Sequence, residues 1–419
     1  MKKLLLYVVL VSLIVLWWIA AAPRPEIQIA PSVVFDPSTA ESVAAVDRSA
    51  EFAEGLEHFS SDLPHYDDVV FIAAGTKALV TATDGKIWVV DLSTHSAKPF
   101  VDAPLMAFGI HEAPGDPNLI YFCASHSYGA TPPGEAVGLY RLTLDTRAIE
   151  PIALKVPDTT IDREHPNVYA DDQTKAPELR RDGSGGPSRS LVVCDNLEVS
   201  EDGRRIYFSE PFSYKNVSLD DAIDEAIALN RGGRLWRHDL DSGTTRLIAE
   251  GFHFINGILY DLHPGKPREE SVLVTQTSLF RLTRFYLSGP KAGTADVVLD
   301  GLTGMDDGMD RDSTGRIWLA MFRHRSGLLT WLHANAWAKP LFMRLPFDRV
   351  ALPQRTGVTV VGPDGRTLQY AATYEGPRLS AVASAVPGAG GIYLANESLS
   401  ESDRDQTGIV RLKWPKQLQ

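Results

Sequence analysis

Four short stretches place oxygen-bearing side chains where apolar, strand-like runs begin: Glu57 in Gly55-Leu-Glu-His-Phe, Asp195-Asn196 in Val193-Cys-Asp-Asn-Leu, Asn256 in Phe254-Ile-Asn-Gly-Ile, and Asp306-Asp307 in Gly304-Met-Asp-Asp-Gly-Met. Carboxylates and side-chain amides are hard oxygen donors, the set taken by Ca²⁺, which tolerates a site assembled from distant segments. Any one such Asn or Asp also serves as a turn former or a local backbone cap. Four of them together point to one shared divalent cation. No Cys/His cluster suggests zinc instead.

Residues so far apart need a fold that converges on an axis. Several segments repeat a turn residue, an isoleucine, an aromatic and then more apolar or small residues: Gly85-Lys-Ile-Trp-Val-Val-Asp, Asn118-Leu-Ile-Tyr-Phe-Cys-Ala, Gly203-Arg-Arg-Ile-Tyr-Phe-Ser, Gly315-Arg-Ile-Trp-Leu-Ala and Gly390-Gly-Ile-Tyr-Leu-Ala-Asn. They are too short for helices and rich in β-branched and aromatic residues, so they read as strands. A second recurring run alternates apolar with polar residues, as in Gly138-Leu-Tyr-Arg-Leu-Thr, Gly233-Arg-Leu-Trp-Arg-His-Asp and Gly408-Ile-Val-Arg-Leu-Lys-Trp. Alternation of period two buries one face and exposes the other. Such a pair of strands closed by an Asp-Ser/Thr turn is the pattern of one propeller blade, and about six such units fill the chain. The expected fold is all-β, a six-bladed β-propeller over residues 51–419. Its inner strands would bring the four polar stretches to one channel.

Rim insertions are expected at 158–190, which is polar and rich in Gly, Pro and charge, and at 213–231, where Leu219, Ala222, Ile223, Ala226 and Ile227 fall at helical spacing. Residues 23–50 read as a tether, Pro-rich at their start. The segment 1–22 is apolar and uncharged from Leu4 to Ala22, which reads as an N-terminal transmembrane helix. Lys2 and Lys3 would keep the N-terminus cytoplasmic and send the propeller to the exported side. A cleaved signal peptide is the alternative, since Ala20, Ala21 and Ala22 offer small residues at its end; the domain would then be secreted.

The sequence has only Cys123 and Cys194, which read either as buried thiols or as one bridge. A formal charge of −12 argues against nucleic acid as a partner. With 33 Gly and 27 Pro, short elements and tight turns are favoured over a helical bundle.

From Leu191 to Phe322 the sequence resembles the strictosidine-synthase-like and adipocyte plasma-membrane-associated branch of the six-bladed propeller superfamily, which also holds paraoxonases and the SMP-30/gluconolactonase proteins. The resemblance rests on Gly233-Arg-Leu-Trp-Arg-His-Asp-Leu, Gly251-Phe-His-Phe-Ile-Asn-Gly-Ile and Arg281-Leu-Thr-Arg-Phe-Tyr-Leu-Ser-Gly-Pro-Lys-Ala-Gly-Thr. It implies Ca²⁺ in the central tunnel, with Glu57 as the first-blade glutamate, Asn256 as the amide of an Asn-Gly motif, and Asp306 with Asp307 as an Asp-Asn pair. Asp195-Asn196 stands where the family has Asn-Asp. The implied activity is hydrolysis of a small lactone or aryl ester, with another divalent cation able to replace Ca²⁺. Where paraoxonases place a histidine, Phe108 stands here; His111 is expected to face away from it by strand alternation. His126, matching a second paraoxonase histidine, is the first candidate base and His253 the second. The rival reading is a non-catalytic propeller whose cation braces the tunnel.

Overall fold

The computed structural model describes residues 2–20, 27–126, 136–160, 175–212, 222–262, 270–344, 354–397 and 407–419. Six antiparallel sheets follow one another around a central axis. Blade one is Tyr66–Ile72, Lys77–Ala82, Lys86–Asp91 and Ser96–Asp102; blade two is Met106–Ala113, Asp116–Ser125, Gly138–Thr143 and Ala148–Ala153. Blade three is Leu197–Val199, Arg205–Glu210, Gly233–Asp239 and Thr244–Phe252, with Glu178–Leu179 added at its outer edge. Blade four is Ile255–Leu262, Glu270–Gln276, Arg281–Tyr286 and Ala295–Asp300; blade five is Gly304–Arg311, Ile317–His324, Thr356–Val361 and Leu368–Tyr374. Blade six runs from Val382–Gly388 through Gly391–Asn396 and Ile409–Leu412 to Leu56–Phe59. Its outermost strand therefore comes from near the N-terminus, in the register Leu56↔Leu412 to Phe59↔Ile409, and closes the ring.

The repeated Ile-aromatic runs are the second strands of blades two, three, five and six and the third strand of blade one. Each is fully buried at its isoleucine, Ile120, Ile206, Ile317, Ile392 and Ile87. Turns are set by aspartates: Asp91 accepts from Ser93 N at 3.0 Å and Thr94 N at 3.1 Å, and Asp239 accepts from Ser242 N at 2.9 Å.

The inner strands share one irregularity that aims the site. In blade one Tyr66↔Ala82 is followed by Val69↔Val80, so Asp67 and Asp68 face only Thr81. Two residues against one recur at Phe108-Gly109, Asn256-Gly257 and Asp307-Gly308. Asp195 and Asn196 flank Ser209 in the same way, through Asp195 N to Ser209 O at 3.2 Å and Ser209 N to Asn196 O at 2.9 Å. Such a β-bulge turns side chains out of the strict alternation of a strand. Adjacent blades approach closely here: a Cβ on Gly257 would lie 2.3 Å from Asp307 O, and one on Gly308 2.8 Å from Ala383 O. Only glycine fits at either place.

In an up-and-down sheet the first strand begins, and the second strand ends, at one rim. That rim therefore carries the bulges, His126, Glu397, and the insertions after Glu210 and His324. The insertion expected at 213–231 contains the helix Ala222–Ala228, while Ser218 and Leu219 lie outside the described residues. Of the 158–190 insertion, Ser188–Ser190 pairs with Lys155–Pro157, and Glu178–Leu179 joins blade three. Blade five adds an insertion the sequence reading did not single out, with helices Gly327–Ala334 and Lys339–Phe342.

The expected tether is not free of the propeller. Ile27 is buried with Ile227, Ala228 and Met343, and helices Pro37–Ala45 and Ser49–Gly55 precede the closing strand. Phe52, on the second of these, is buried in the core between blades five and six. Burial of apolar side chains at Ile27 and Phe52 outweighs the extended tendency of the prolines. The N-terminal run forms the helix Lys2–Ala20, with the large apolar side chains from Leu6 to Trp18 exposed by 46% to 71%. Among the described residues no helix is long and apolar enough to cross a membrane.

Candidate functional site

The bulges deliver Asp67, Asp195, Asn256 and Asp307 to the axis, and Glu397 joins them from the end of blade six's second strand. Asp195, Asn256, Asp307 and Glu397 are buried, and Asp67 is partly so. Burial raises the Asp67 carboxyl well above the usual range, and the charges of Glu397, Asp307, Asp68 and Asp195 raise it further. Asp307 is pushed up by burial and by Asp195, Glu397, Asp68 and Asp306. Asp195 rises to about 8 through burial and Glu397; Glu397 rises to about 7 through burial, moderated by the Arg323 guanidinium. Carboxylates that repel one another in a desolvated space take up either protons or a cation.

Among the described residues at the bulges, two acids carry oxygens with no hydrogen-bond partner: Asp195 through Oδ2 and Asp306 through both Oδ1 and Oδ2. Buried polar atoms of this kind call for a ligand, a proton or water. Among the described residues, no three or more His, Cys, Asp and Glu side chains alone are grouped so as to hold a metal ion. A cation at this rim would therefore draw on the Asn256 amide as well as on carboxylates. Carboxylate and amide oxygens of this kind fit a hard ion such as Ca²⁺.

The members of each pair have separate tasks. Asn196 Oδ1 accepts from Ile258 N at 3.3 Å, stitching blade three to blade four, whereas Asp195 bears the unpartnered oxygen. Asp68 does for blade two what Asn196 does for blade four, accepting from Ile110 N at 3.1 Å.

Glu57 is not with the others. It sits on the outermost strand of blade six, where Arg411 Nη2 donates to its Oε2 at 2.6 Å and Lys413 Nζ lies 3.2 Å from its Oε1. The Arg411 hydrogen bond holds its pKa below the ordinary value despite some burial. Asp67 of blade one occupies the place that the sequence reading gave to Glu57. The signal was present in Tyr66-Asp-Asp-Val-Val, an acidic pair inside an apolar strand like Met305-Asp-Asp-Gly-Met.

His111 faces away from Phe108 as expected, but the side it takes is the channel rather than the core. The bulge at Phe108-Gly109 breaks the alternation, and His111 points into the channel, its Nδ1 3.4 Å from Glu198 Oε1. Burial alone would lower its pKa, but Glu198, Asp68 and Asp310 raise it overall. Phe108 is buried in the core.

His126 follows Ser125 at the end of a blade-two strand, on the carboxylate rim, and its Nδ1 is buried without a partner. Ser125 Oγ donates to Cys194 O at 2.7 Å, placing this strand end beside Asp195. His253 Nδ1 pairs with Leu229 O at 2.9 Å, and burial lowers its pKa to about 4, so its ring is neutral at pH 7. Cys123 and Cys194 form a disulfide joining blade two to the start of blade three, which resolves the two readings of the cysteines.

Taken together, fold and site define a six-bladed β-propeller with an acidic channel mouth. The chain is 33% identical over 162 residues to an adipocyte plasma membrane-associated protein of Salmo salar, covering 38% of this chain and 37% of that protein. It is 27% identical over 218 residues to the protein of that name from Bos taurus, covering 50% of each. It is also 31% identical over 174 residues to strictosidine synthase-like 13 of Arabidopsis thaliana, covering 41% of this chain and 40% of that protein. The matches thus span 37% to 50% of these relatives' lengths. No family model matches. In fold the chain is similar to a gluconolactonase from Xanthomonas campestris, with a TM-score of 0.51 and 12% identity over 94% of this chain and 100% of that one.

Proposed function

We propose that this protein is a Ca²⁺-dependent hydrolase of small lactones or aryl esters, carried by its N-terminal helix on the exported side of a membrane. The observation that carries the reading is the convergence of Asp67, Asp195, Asn256, Asp307 and Glu397 on one channel mouth, with an unpartnered oxygen on Asp195. The Asn256 amide with the Asp195 and Asp307 carboxylates would hold the ion, and Asp67 and Glu397 lie near enough to feel their charge. A bound Ca²⁺ with an open position polarises an ester carbonyl and stabilises the oxyanion formed when water attacks it.

The chain's own groups supply the proton chemistry. Glu397, raised to about 7 with no cation bound, stands outside the ligand set and is the carboxyl left to take a proton from water, whereas a bound Ca²⁺ would hold Asp195 ionised. His126 offers an imidazole at the same rim, on the strand end that Ser125 fastens to Cys194. His253 is better suited to fixing the Ala222–Ala228 helix, because its Nδ1 is engaged by Leu229. The anchor reading is supported by the exposed apolar surface of Leu6–Trp18, which lipid would cover.

A non-catalytic, cation-braced propeller is the second reading. It is favoured by the absence, among the described residues, of a hydrogen bond joining either histidine to the carboxylates. Turnover of phenyl acetate and of lactones, with and without chelator, separates the two. The hydrolase reading expects activity that chelation and Asn256→Ala abolish while the fold persists. A folded, metal-loaded protein inert toward both substrate types overturns it.

A further inference from the structure

The blade-five insertion has one face that the propeller uses and one that it does not. Inward, Leu332 and His333 are buried, His333 Nε2 pairs with Ala226 O at 2.9 Å, and Lys339 Nζ donates to Ala228 O at 3.3 Å. Outward, Leu328, Trp331 and Trp337 are 42%, 43% and 71% exposed. The two indoles meet edge to face at 6.0 Å, and Trp331 also meets Phe342 at 6.4 Å. Clustered indoles at a surface mark a place where another phase or molecule is met.

Two observations identify what is met. Arg344, at the end of this insertion, places its guanidinium 4.5 Å over the ring of Trp18, so the patch is continuous with the exposed apolar helix Lys2–Ala20. The stretch Arg323 to Arg344 contains no Asp or Glu, in a chain of net charge −12, and of its cations Arg344 is the one set against the exposed helix, since Lys339 is buried inward and Arg323 faces Glu397. Local positive charge beside indoles complements anionic lipid headgroups, and tryptophan partitions to the level where headgroups meet acyl chains.

We propose that the blade-five insertion is a second membrane contact: Leu328, Trp331 and Trp337 seat in the headgroup region of an anionic phospholipid bilayer, beside Trp17 and Trp18. The connection from second to third strand lies at the rim of the channel mouth, so this contact turns the mouth toward the lipid surface. The proposal rests on the anchor reading of the N-terminal helix, and its test keeps the two apart.

The full chain is reconstituted into vesicles of phosphatidylcholine and phosphatidylglycerol, with or without bromine near the headgroup end of the acyl chains. Trp emission of the wild type is compared with that of W331F/W337F and, separately, W17F/W18F; the difference spectra isolate each pair. Both pairs should be quenched about twofold or more by brominated lipid, as expected of interfacial indoles. Quenching of Trp17/Trp18 without Trp331/Trp337 overturns the docking surface and leaves the anchor standing; a protein partner or a second copy would then be the occupant. Quenching of neither pair overturns both. The phenylalanine variants keep apolar rings at exposed positions, and an unchanged thermal midpoint verifies their fold.

Discussion

The backbone amide of Ile110 donates to Asp68 Oδ2 at 3.1 Å, so a carboxylate of blade one holds the inner strand of blade two. The other oxygen, Oδ1, accepts from Val69 N at 2.8 Å. Replacing Asp68 by Ala leaves both buried amides without this acceptor, at a cost of about 1–3 kcal/mol for each donor not rescued by water. Asp68→Asn keeps one acceptor oxygen and should be milder. Denaturant unfolding of both variants checks the order; equal stability of Asp68→Ala and wild type would remove Asp68 from the ring's framework.

Glu57 should be dispensable at the channel. Its partners are Arg411 on the closing sheet and Lys413 just beyond it; Glu57 and Arg411 are partly exposed and Lys413 is exposed. Glu57→Gln is expected to leave cation binding and any turnover unchanged, and to alter stability by less than about 1 kcal/mol. Calcium titration of the variant checks this.

Stability of the cation-free protein should fall as pH rises. Asp195 and Glu397 are raised to about 8 and about 7, and Asp67 and Asp307 are raised as well. An acid whose folded pKa exceeds its unfolded one stabilises the fold fully below the unfolded value. That contribution is lost as pH climbs through the folded value. The buried histidines His238, His253 and His333, lowered to about 4, act in the opposite sense below about pH 6.5, so in chelator thermal midpoints should decline between about pH 6.5 and about pH 8. Added Ca²⁺ should restore most at the upper end, by about 2.7 kcal/mol at a hundredfold excess over Kd. A cation effect that grows as pH falls would contradict the assignment.

The disulfide should support Asp195. Cys123 and Cys194 close a loop with a sequence separation of 71, and Cys194 directly precedes Asp195. The double substitution Cys123→Ala/Cys194→Ala is expected to cost about 2–4 kcal/mol and to weaken cation binding. Denaturant midpoints and calcium titration read the two effects separately.

The propeller was legible because its strands repeat a local pattern, and so were the channel residues at Asp195, Asn256 and Asp307, each of which interrupts an apolar run. What escaped depends on contacts between distant parts of the chain. Leu56–Phe59 has the composition of an inner strand, yet it closes the ring against Ile409–Leu412 and carries Glu57 outward. Alternation separates His111 from Phe108 but does not say which of them meets the channel, and the bulge at Phe108-Gly109 leaves Phe108 in the core and His111 beside Glu198. Asp67-Asp68 has the look of a solvated strand face until neighbouring blades bury it. Glu397 follows the strand Gly391–Asn396, and only the position of that strand in blade six brings it to the mouth.

Counting bound divalent cation in the full chain tests the account most directly. Elemental analysis and calcium titration should find one ion per protein at the channel mouth, lost or weakened at least about tenfold, equivalent to 1.4 kcal/mol, in Asp195→Asn and Asp307→Asn that remain folded. A folded wild type that takes up no divalent cation, or variants that bind it as tightly as the wild type, would contradict the account.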